Sequence, residues 1–317
     1  MSMSKPLSIG FIGNGSHARR VRDALISLEV HYQEVEYDRS SPISEQVGII
    51  QSDAIFITSP NDTHGSYLEQ LHQIYNGYIY CEKPPVNRLI ELSILDKIDM
   101  TRCFFGFNYR YSPIHEEISG IRNEFDLGPI VTIEIHCSYP FAVKPEYLGS
   151  WKSDCDRSPL GVLENLGVHF IDMSISFAGS IQTSSLHLTN IINNSRAPDT
   201  ATLSLLHANG TTSNIFVSYA TSYRNNIYLT LERGDIDYDG NKIDVYSPRE
   251  TFNFQGLSIR PPVVLTKELD SEIAYKESLR ECVKYFIQVV ASGGEFESEL
   301  SDRSKEVASA MLVSRKI

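Results

Sequence analysis

Several protein classes are excluded by what this chain lacks. Tryptophan occurs once, at Trp151, and the five cysteines (Cys81, Cys103, Cys137, Cys155, Cys282) are scattered, odd in number and without a C-x-x-C pair. That spacing argues against a disulfide frame or a zinc site and fits free thiols in a reducing cytoplasm. Positive charge is in deficit: 28 Lys and Arg stand against 40 Asp and Glu, a net charge of -12. No field is left to hold a phosphate backbone, so nucleic acid is not expected as a partner, although a small anion can still bind locally at a helix N-terminus. No apolar run reaches membrane-spanning length, and MSMSKPLSIGF lacks the apolar core of a signal peptide. A cytoplasmic location without membrane insertion is therefore the expectation. No metal-ligand spacing stands out, and internal repeats and low-complexity tracts are missing.

What is present has the ordinary balance of a globular protein, 41% hydrophobic and 21% charged over 317 residues, a length that favours two domains. Strand and helix patterns alternate through the first third: LSIGFIG, SHARRVRDALISL, VHYQEVEYD, DAIFITSP, HGSYLEQLHQIY, YIYCEKP, NRLIELSILDKI and RCFFGFNY. This rhythm predicts a doubly wound parallel sheet of Rossmann type, with ligands bound at the C-terminal ends of its strands. Near residue 122 the pattern changes. IVTIEIHCS alternates as an antiparallel strand would, a long helix follows, and SSLHLTNII, TATLSLLHA, TSNIFVSYA, NIYLTLE and DIDYDG come next, separated by NG, RG and DG turns. Two helices close the chain. The expected fold is α/β: a dinucleotide-binding domain over 1–121, then a substrate and oligomerisation domain over 122–317, α+β with an open, predominantly antiparallel sheet.

GFIGNGSHARRV sets Gly13-x-Gly15-x-x-Ala18 between the first strand and the first helix. Gly13 permits a tight turn, Gly15 lets backbone N–H groups approach a pyrophosphate, and Ala18 lets helix and strand pack closely. Asp38 ends the second strand, where a carboxylate would accept from the adenosine ribose hydroxyls and repel a 2'-phosphate, favouring NAD. Arg39 beside it could pair with that phosphate, so NADP stays open. ITSPNDTH ends the third strand with Ser59, Pro60, Asn61 and His64, and YCEKPP ends the fourth with Glu82 and Lys83. Groups at successive strand ends of one sheet converge on one crevice, which makes them candidate cofactor-binding residues.

In the order IGFIGNGSHA, TSPNDTH, CEKP, GFNYRYSP, LGPI, SWKSD and LGVHFID, over roughly residues 8 to 172, the chain resembles the glucose-fructose oxidoreductase / inositol dehydrogenase / rhizopine-catabolism (Gfo/Idh/MocA) family of NAD(P)-dependent enzymes. The resemblance implies NAD or NADP as cofactor and sugar, sugar-nucleotide or cyclitol substrates. Gly13, Asn14, Gly15, Ser16 and His17 would line the pyrophosphate, and Asp38 and Arg39 would meet the adenosine ribose. Ser59, Asn61 and His64 would meet cofactor parts nearer the nicotinamide, with Lys83 beside the reacting carbon. Tyr109, Arg110, Trp151 and Lys152 match positions that approach cofactor or substrate. Three departures stand out: SPLG replaces a glycine cluster, with Gly161 as its matching last member; the connection from Arg39 to Ser52 is short; and Asn165 stands where members usually carry aspartate.

The segment VLENLGVHF then becomes informative. At about 100° per residue, Asn165, His169, Asp172 and Ser176 share a narrow stripe of short hydrogen-bonding groups, flanked by apolar residues. A histidine packed into a core helix would fit the segment alone. Beside Lys83 and the glycine loop, the stripe reads as a site in which His169 exchanges the hydroxyl proton and Lys83 stabilises the oxygen's developing charge while the nicotinamide carries the hydride. Asn165 offers a donor and an acceptor for a substrate hydroxyl but no charge. Asp172, three residues beyond His169, could partly compensate. Without an aspartate at 165, His169 should be a weaker base and a better acid, which favours ketone reduction. Two other readings use the same fold: a non-catalytic NAD(P)-binding sensor, and a lyase or hydrolase with tightly held NAD. Apolar residues on both sides of TSNIFVSYA and NIYLTLE suit either pairing of sheets between subunits or a second core layer, and a homo-oligomer is what the resemblance implies.

Overall fold

The computed structural model describes residues 6–316. The β-α alternation yields β1 (Leu7–Ile12), α1 (Ser16–Ser27), β2 (Tyr32–Val35), a one-turn α2 (Val47–Ile50), β3 (Ala54–Ile57), α3 (His64–Ile74), β4 (Tyr78–Glu82) and β5 (Cys103–Gly106). The five strands form one parallel sheet in the order β2-β1-β3-β4-β5. Chain order reverses between β1 and β3, and an open sheet leaves a crevice for ligands at that point, past the strands' C-terminal ends. One expected helix is different: Leu89–Asp96 winds as a 3-10 helix rather than an α-helix. Its start is drawn tight by the Glu91 carboxylate, which accepts from the backbone N–H of Asn87 and of Arg88, and Leu89 and Ile90 stay exposed instead of supplying an apolar face.

The rest of the chain supplies α4 (Pro113–Glu124), β6 (Ile130–Ser138), a one-turn α5 (Pro145–Leu148), α6 (Val168–Ala178), β7 (Ile181–Thr189), β8 (Thr200–His207), β9 (Thr212–Ser218), β10 (Arg224–Leu231), β11 (Gly234–Tyr238), β12 (Lys242–Tyr246), β13 (Val263–Glu268), α7 (Ser271–Ser292), α8 (Ser298–Val313) and β14 (Arg315–Lys316). A nine-stranded sheet runs β13-β12-β11-β10-β6-β9-β8-β7-β14 and is antiparallel except at β6–β9 and β7–β14. Strand alternation sets its faces. Ile133, Ile135, Leu203, Leu205, Ile215, Val217, Ile227 and Leu229 are buried, whereas Glu134, Thr202, Ser204 and Asn214 point to solvent. Within the chain, therefore, β9 and β10 are apolar on one side only, with Phe216 and Tyr228 half-buried among polar neighbours on the other.

The division between the two compact units also differs from the expected boundary after residue 121. The first unit runs through Asn108 and takes back Ser278–Leu312, and the second covers Tyr109–Glu277 and resumes at Val313. The physical reason lies in the closing helices, which finish the core of the parallel sheet. Phe286 is fully buried and meets the Phe56 and Tyr80 rings at 5.0 and 5.4 Å, and Phe296 meets Phe104 at 5.3 Å. Burying a phenylalanine so completely contributes about 1.5–3 kcal/mol, and no local pattern in the sequence says against which sheet it will happen.

Candidate functional site

The glycine turn is built by contact with the neighbouring strand. Gly13 sits at φ +113, and a Cβ there would lie 2.7 Å from both Ser59 N and Thr58 C. Only glycine fits, because the backbone is left-handed and β3 ends directly alongside. Thr58 strengthens the junction by donating its N–H to Ile12 O at 2.9 Å and its hydroxyl to Gly13 O at 3.3 Å. Gly15 is different: it precedes α1 in extended conformation, and a Cβ would meet nothing within 4 Å. No side chain caps α1, its first turn carries no acid, and Ala18 is fully buried beneath it. An uncapped helix N-terminus with open space before it suits a phosphate.

Around this turn the expected cofactor residues divide into those at the crevice and those committed to holding it. The Asn14 side-chain oxygen Oδ1 accepts from Arg22 at 3.1 Å, and Arg22 also pairs with Glu34 at 2.7 Å and covers the Phe11 ring at 4.1 Å. His17 Nε2 lies 2.6 Å from Glu82 Oε1, which ties the first turn of α1 to the end of β4. Gly106, at the end of β5, leaves room for Glu82: a Cβ there would come within 2.8 Å of Oε1. Burial opposes ionisation of Glu82, but the charge and hydrogen bond of His17, followed by Lys83 and His64, outweigh it and hold the carboxyl below its usual range.

Asp38 is exposed, and its carboxylate accepts from Ser40 N and Oγ and from Ser41 Oγ at 2.7–2.8 Å. These bonds, Ser40 Oγ first, lower its pKa. Gln46 grips the Asp38 backbone at both N and O, so the short Arg39–Ser52 connection is internally braced. Arg39 is exposed beside it. After β3, Pro60 introduces a 3-10 turn over Asn61–Thr63; Ser59 Oγ and Thr63 Oγ1 are 2.6 Å apart, and Asn61 is buried.

His64 takes a different role from the one expected. It is fully buried, with Nδ1 2.8 Å from Pro84 O and Nε2 3.0 Å from Ser59 O. The neutral ring donates from whichever nitrogen carries the proton to one of these carbonyls, and the imidazole fills the space between the Ser59 loop and the Lys83–Pro84 turn. Burial lowers its pKa against the two backbone contacts, which favour the charged ring. Lys83 itself is half-buried at the end of β4.

In the second unit, VLENLGVHF is not one regular helix. Leu163–Gly167 winds as a π-helix that passes into α6 at Val168. A π-turn takes more than four residues to come round, so Asn165 and His169 lie nearly above one another, and such turns recur at functional sites. A Cβ on Gly167 would lie 3.2 Å from Val217 Cγ2, so this glycine lets the π-turn approach β9 closely. His169 is 6% exposed, and its ring stacks on Tyr109 with centroids 4.2 Å apart and planes 19° apart. Burial drives the Tyr109 phenol well above its usual range, so it presents a neutral face to the imidazole.

The lower part of the polar stripe is internal. Arg110 donates to both oxygens of Asp172, with Nε at 2.9 and 3.1 Å and Nη2 at 2.7 Å from Oδ1, and the two side chains are 3% and 2% exposed. Asp172 is therefore a buried partner of Arg110, and the guanidinium is enclosed with it. Ser176, the last member, lies 2.8 Å from His115 Nε2. The apolar spacing gave no warning of this, because the partners come from the segment that follows β5. Asn165 donates its amide to Gly161 O at 2.8 Å and Ser158 Oγ at 3.1 Å. Trp151 and Lys152 start a 3-10 turn in which Lys152 Nζ lies 5.8 Å from both the Trp151 and the Phe141 ring centroids. Ser153 anchors that turn by accepting the Arg196 and Ala197 N–H groups at its carbonyl.

With the geometry in view, three kinds of comparison agree. The sequence model of the GFO/IDH/MocA C-terminal domain matches residues 117–237. Glucose-6-phosphate 3-dehydrogenase of Bacillus subtilis (strain 168) is 27% identical over 185 residues, and the match spans 52% of this chain and 52% of that relative, so the chain aligns with about half of its length. Among solved structures, a levoglucosan dehydrogenase in complex with NADH and levoglucosan superposes with a TM-score of 0.74 at 16% identity, covering 97% of this chain and 95% of the other. A 3-ketoreductase from Actinomadura kijaniata in complex with NADP gives 0.74 at 18% identity over 99% of both chains. The myo-inositol 2-dehydrogenase of Lactobacillus plantarum gives 0.73 at 18% identity, covering 97% of this chain and 95% of that one. At such identities the structural likeness establishes the fold alone. Residues 117–237 thus match the GFO/IDH/MocA C-terminal domain, and the two-sheet architecture of the whole chain is that of these solved oxidoreductases.

Proposed function

We propose that this chain is an NAD(P)-dependent oxidoreductase that transfers a hydride between the nicotinamide and a hydroxyl or keto carbon of a sugar, sugar nucleotide or cyclitol, working in the direction of ketone reduction. The observation that carries the reading is the edge where β1, β3 and β4 end side by side, with the Gly13 turn, the Ser59–Asn61 loop and Glu82–Lys83 on adjacent strands at the point where chain order reverses. The bound cofactor supplies the hydride. Gly15 and the uncapped start of α1 hold the pyrophosphate, and Asp38 takes the ribose hydroxyls, favouring NAD. Lys83 donates to the substrate oxygen and stabilises its negative charge as it develops, and His169 delivers the proton. Asn165 carries no charge to draw a proton onto the imidazole, so the ring gives its proton up more readily than it takes one.

The sugar-type substrate rests on the relatives, among them a dehydrogenase of glucose 6-phosphate and one of levoglucosan. For assembly, the half-polar outer side of the nine-stranded sheet is the surface on which a second copy would pair, and sedimentation equilibrium tests it. Titration of the purified protein with NADH and NADPH, followed by nicotinamide absorbance with keto-sugars, tests the function. Tight binding of one dinucleotide and its steady oxidation are expected. If neither dinucleotide binds, the reading fails; binding without turnover of any sugar or cyclitol would turn it into that of a sensor.

A further inference from the structure

We infer that Asn165 and Ser158 form one positioning device, in which the side-chain amide is required as a donor and a carboxylate at 165 would be held protonated. This deepens the proposed reading of the site around His169. Two of the departures from the family pattern, SPLG and Asn165, meet in space. The Asn165 amide nitrogen donates to Gly161 O at 2.8 Å and to Ser158 Oγ at 3.1 Å, and the Asn165 backbone N–H adds a second bond to the same Gly161 carbonyl at 3.3 Å.

The turn so closed admits no adjustment. Gly161 lies at φ +53, and a Cβ there would fall 1.9 Å from Pro198 O. The next residue, Val162, donates its N–H to that oxygen at 3.0 Å. Ser158 is fully buried and Asn165 is 8% exposed. Everything from Gly161 to the π-turn is thereby set, and with it the start of the helix that carries His169 against Tyr109.

An ionised aspartate at 165 would aim a carboxylate oxygen at the Gly161 carbonyl, acceptor against acceptor, with a buried hydroxyl as its other neighbour here. A buried acceptor facing an acceptor is costly, so the carboxyl would keep its proton and donate where the amide now donates. The surrounding charged groups compete over this outcome. Glu164, buried on the same turn, works in the same direction. His169, one turn further on, and the Ser158 hydroxyl, by donating, would stabilise the anion. Arg110 and Asp172 neutralise each other, Asp199 is buried and accepts from Ile191 N, Ile192 N and Thr200 Oγ1, and β8 and β9 add no ionisable group except His207.

The test is thermal unfolding of the wild type and Asn165→Asp without ligand, between about pH 5 and about pH 8. A folded-state pKa raised above the unfolded value means that stability is present at low pH and lost as pH rises. The deficit of Asn165→Asp should therefore widen toward about pH 8. A deficit that is flat or narrows with rising pH, or a variant unfolded even at the acid end, overturns the inference. Ser158→Ala supplies the second arm. It should lower kcat about threefold to tenfold while leaving dinucleotide Kd unchanged, the signature of a misplaced proton donor. Unchanged kcat with reduced stability would make Ser158 structural only and overturn its positioning role. Absence of turnover by the wild type itself would defeat the proposed function and leave the unfolding result to be judged alone.

Discussion

The turn at Gly13 and the turn at Gly161 each require a left-handed glycine and each lead into a helix, but they finish in opposite ways. After Gly13 the chain opens: a Cβ on Gly15 would meet nothing within 4 Å, and no side chain caps α1. After Gly161 the chain closes: the Pro198 carbonyl blocks any Cβ at 1.9 Å, and the Asn165 amide donates back to the Gly161 carbonyl. The first arrangement leaves the helix start without a side-chain cap. The second uses its hydrogen bonds internally and passes positional precision to His169. A glycine in a motif is therefore informative only together with what surrounds its missing side chain.

Substitutions break this comparison in a graded way. Gly161→Ala carries the largest expected effect, about 4 kcal/mol of destabilisation or failure to fold, because positive φ and a backbone collision coincide. Arg110→Ala tests the anchor farther along the closed turn's helix. It removes the guanidinium from Asp172, 2% exposed at its side chain, and should cost about 3–5 kcal/mol in urea unfolding. Gly13→Ala against Gly15→Ala separates the two halves of the open turn. The former should lose about 2–3 kcal/mol through strain and contact with Ser59, and the latter under about 0.5 kcal/mol. In dinucleotide titrations, however, Gly15→Ala should weaken binding about tenfold if phosphate occupies the open space. The smallest effect is expected of Glu82→Gln. Because the Glu82 pKa is lowered in the folded protein, its contribution is present at neutral pH and lost as pH falls through the folded value. The variant should flatten the acid limb of the Tm profile; an unaltered limb would sever His17 and Glu82 from the open turn.

Much of the fold was legible along the chain, for reasons visible in particular segments. DAIFITSP and YIYCEKP are short apolar runs bounded by turn residues, and both became buried parallel strands; IVTIEIHCS alternates, and β6 has one face buried. The tight turn at Gly13 and the close packing at Ala18 could be read from spacing because both are local. His64 and Arg110 could not. Each carries a residue type that suits a ligand, and each is committed to a partner, Pro84 O and Asp172, more than a dozen residues away. The π-turn was equally hidden, since a helical wheel drawn with α geometry still aligns Asn165 with His169.

The sequence by itself determined the order of strands and helices, the glycine-led start of α1 and the set of polar residues at the strand ends, because periodicity and backbone conformation are decided over a few neighbouring residues. Only the tertiary structure decided which of those polar residues remain at a crevice and which are consumed, and that the closing helices complete the first sheet's core. A buried donor must find its acceptor wherever the folded chain brings one, and that search runs through space and not along the sequence.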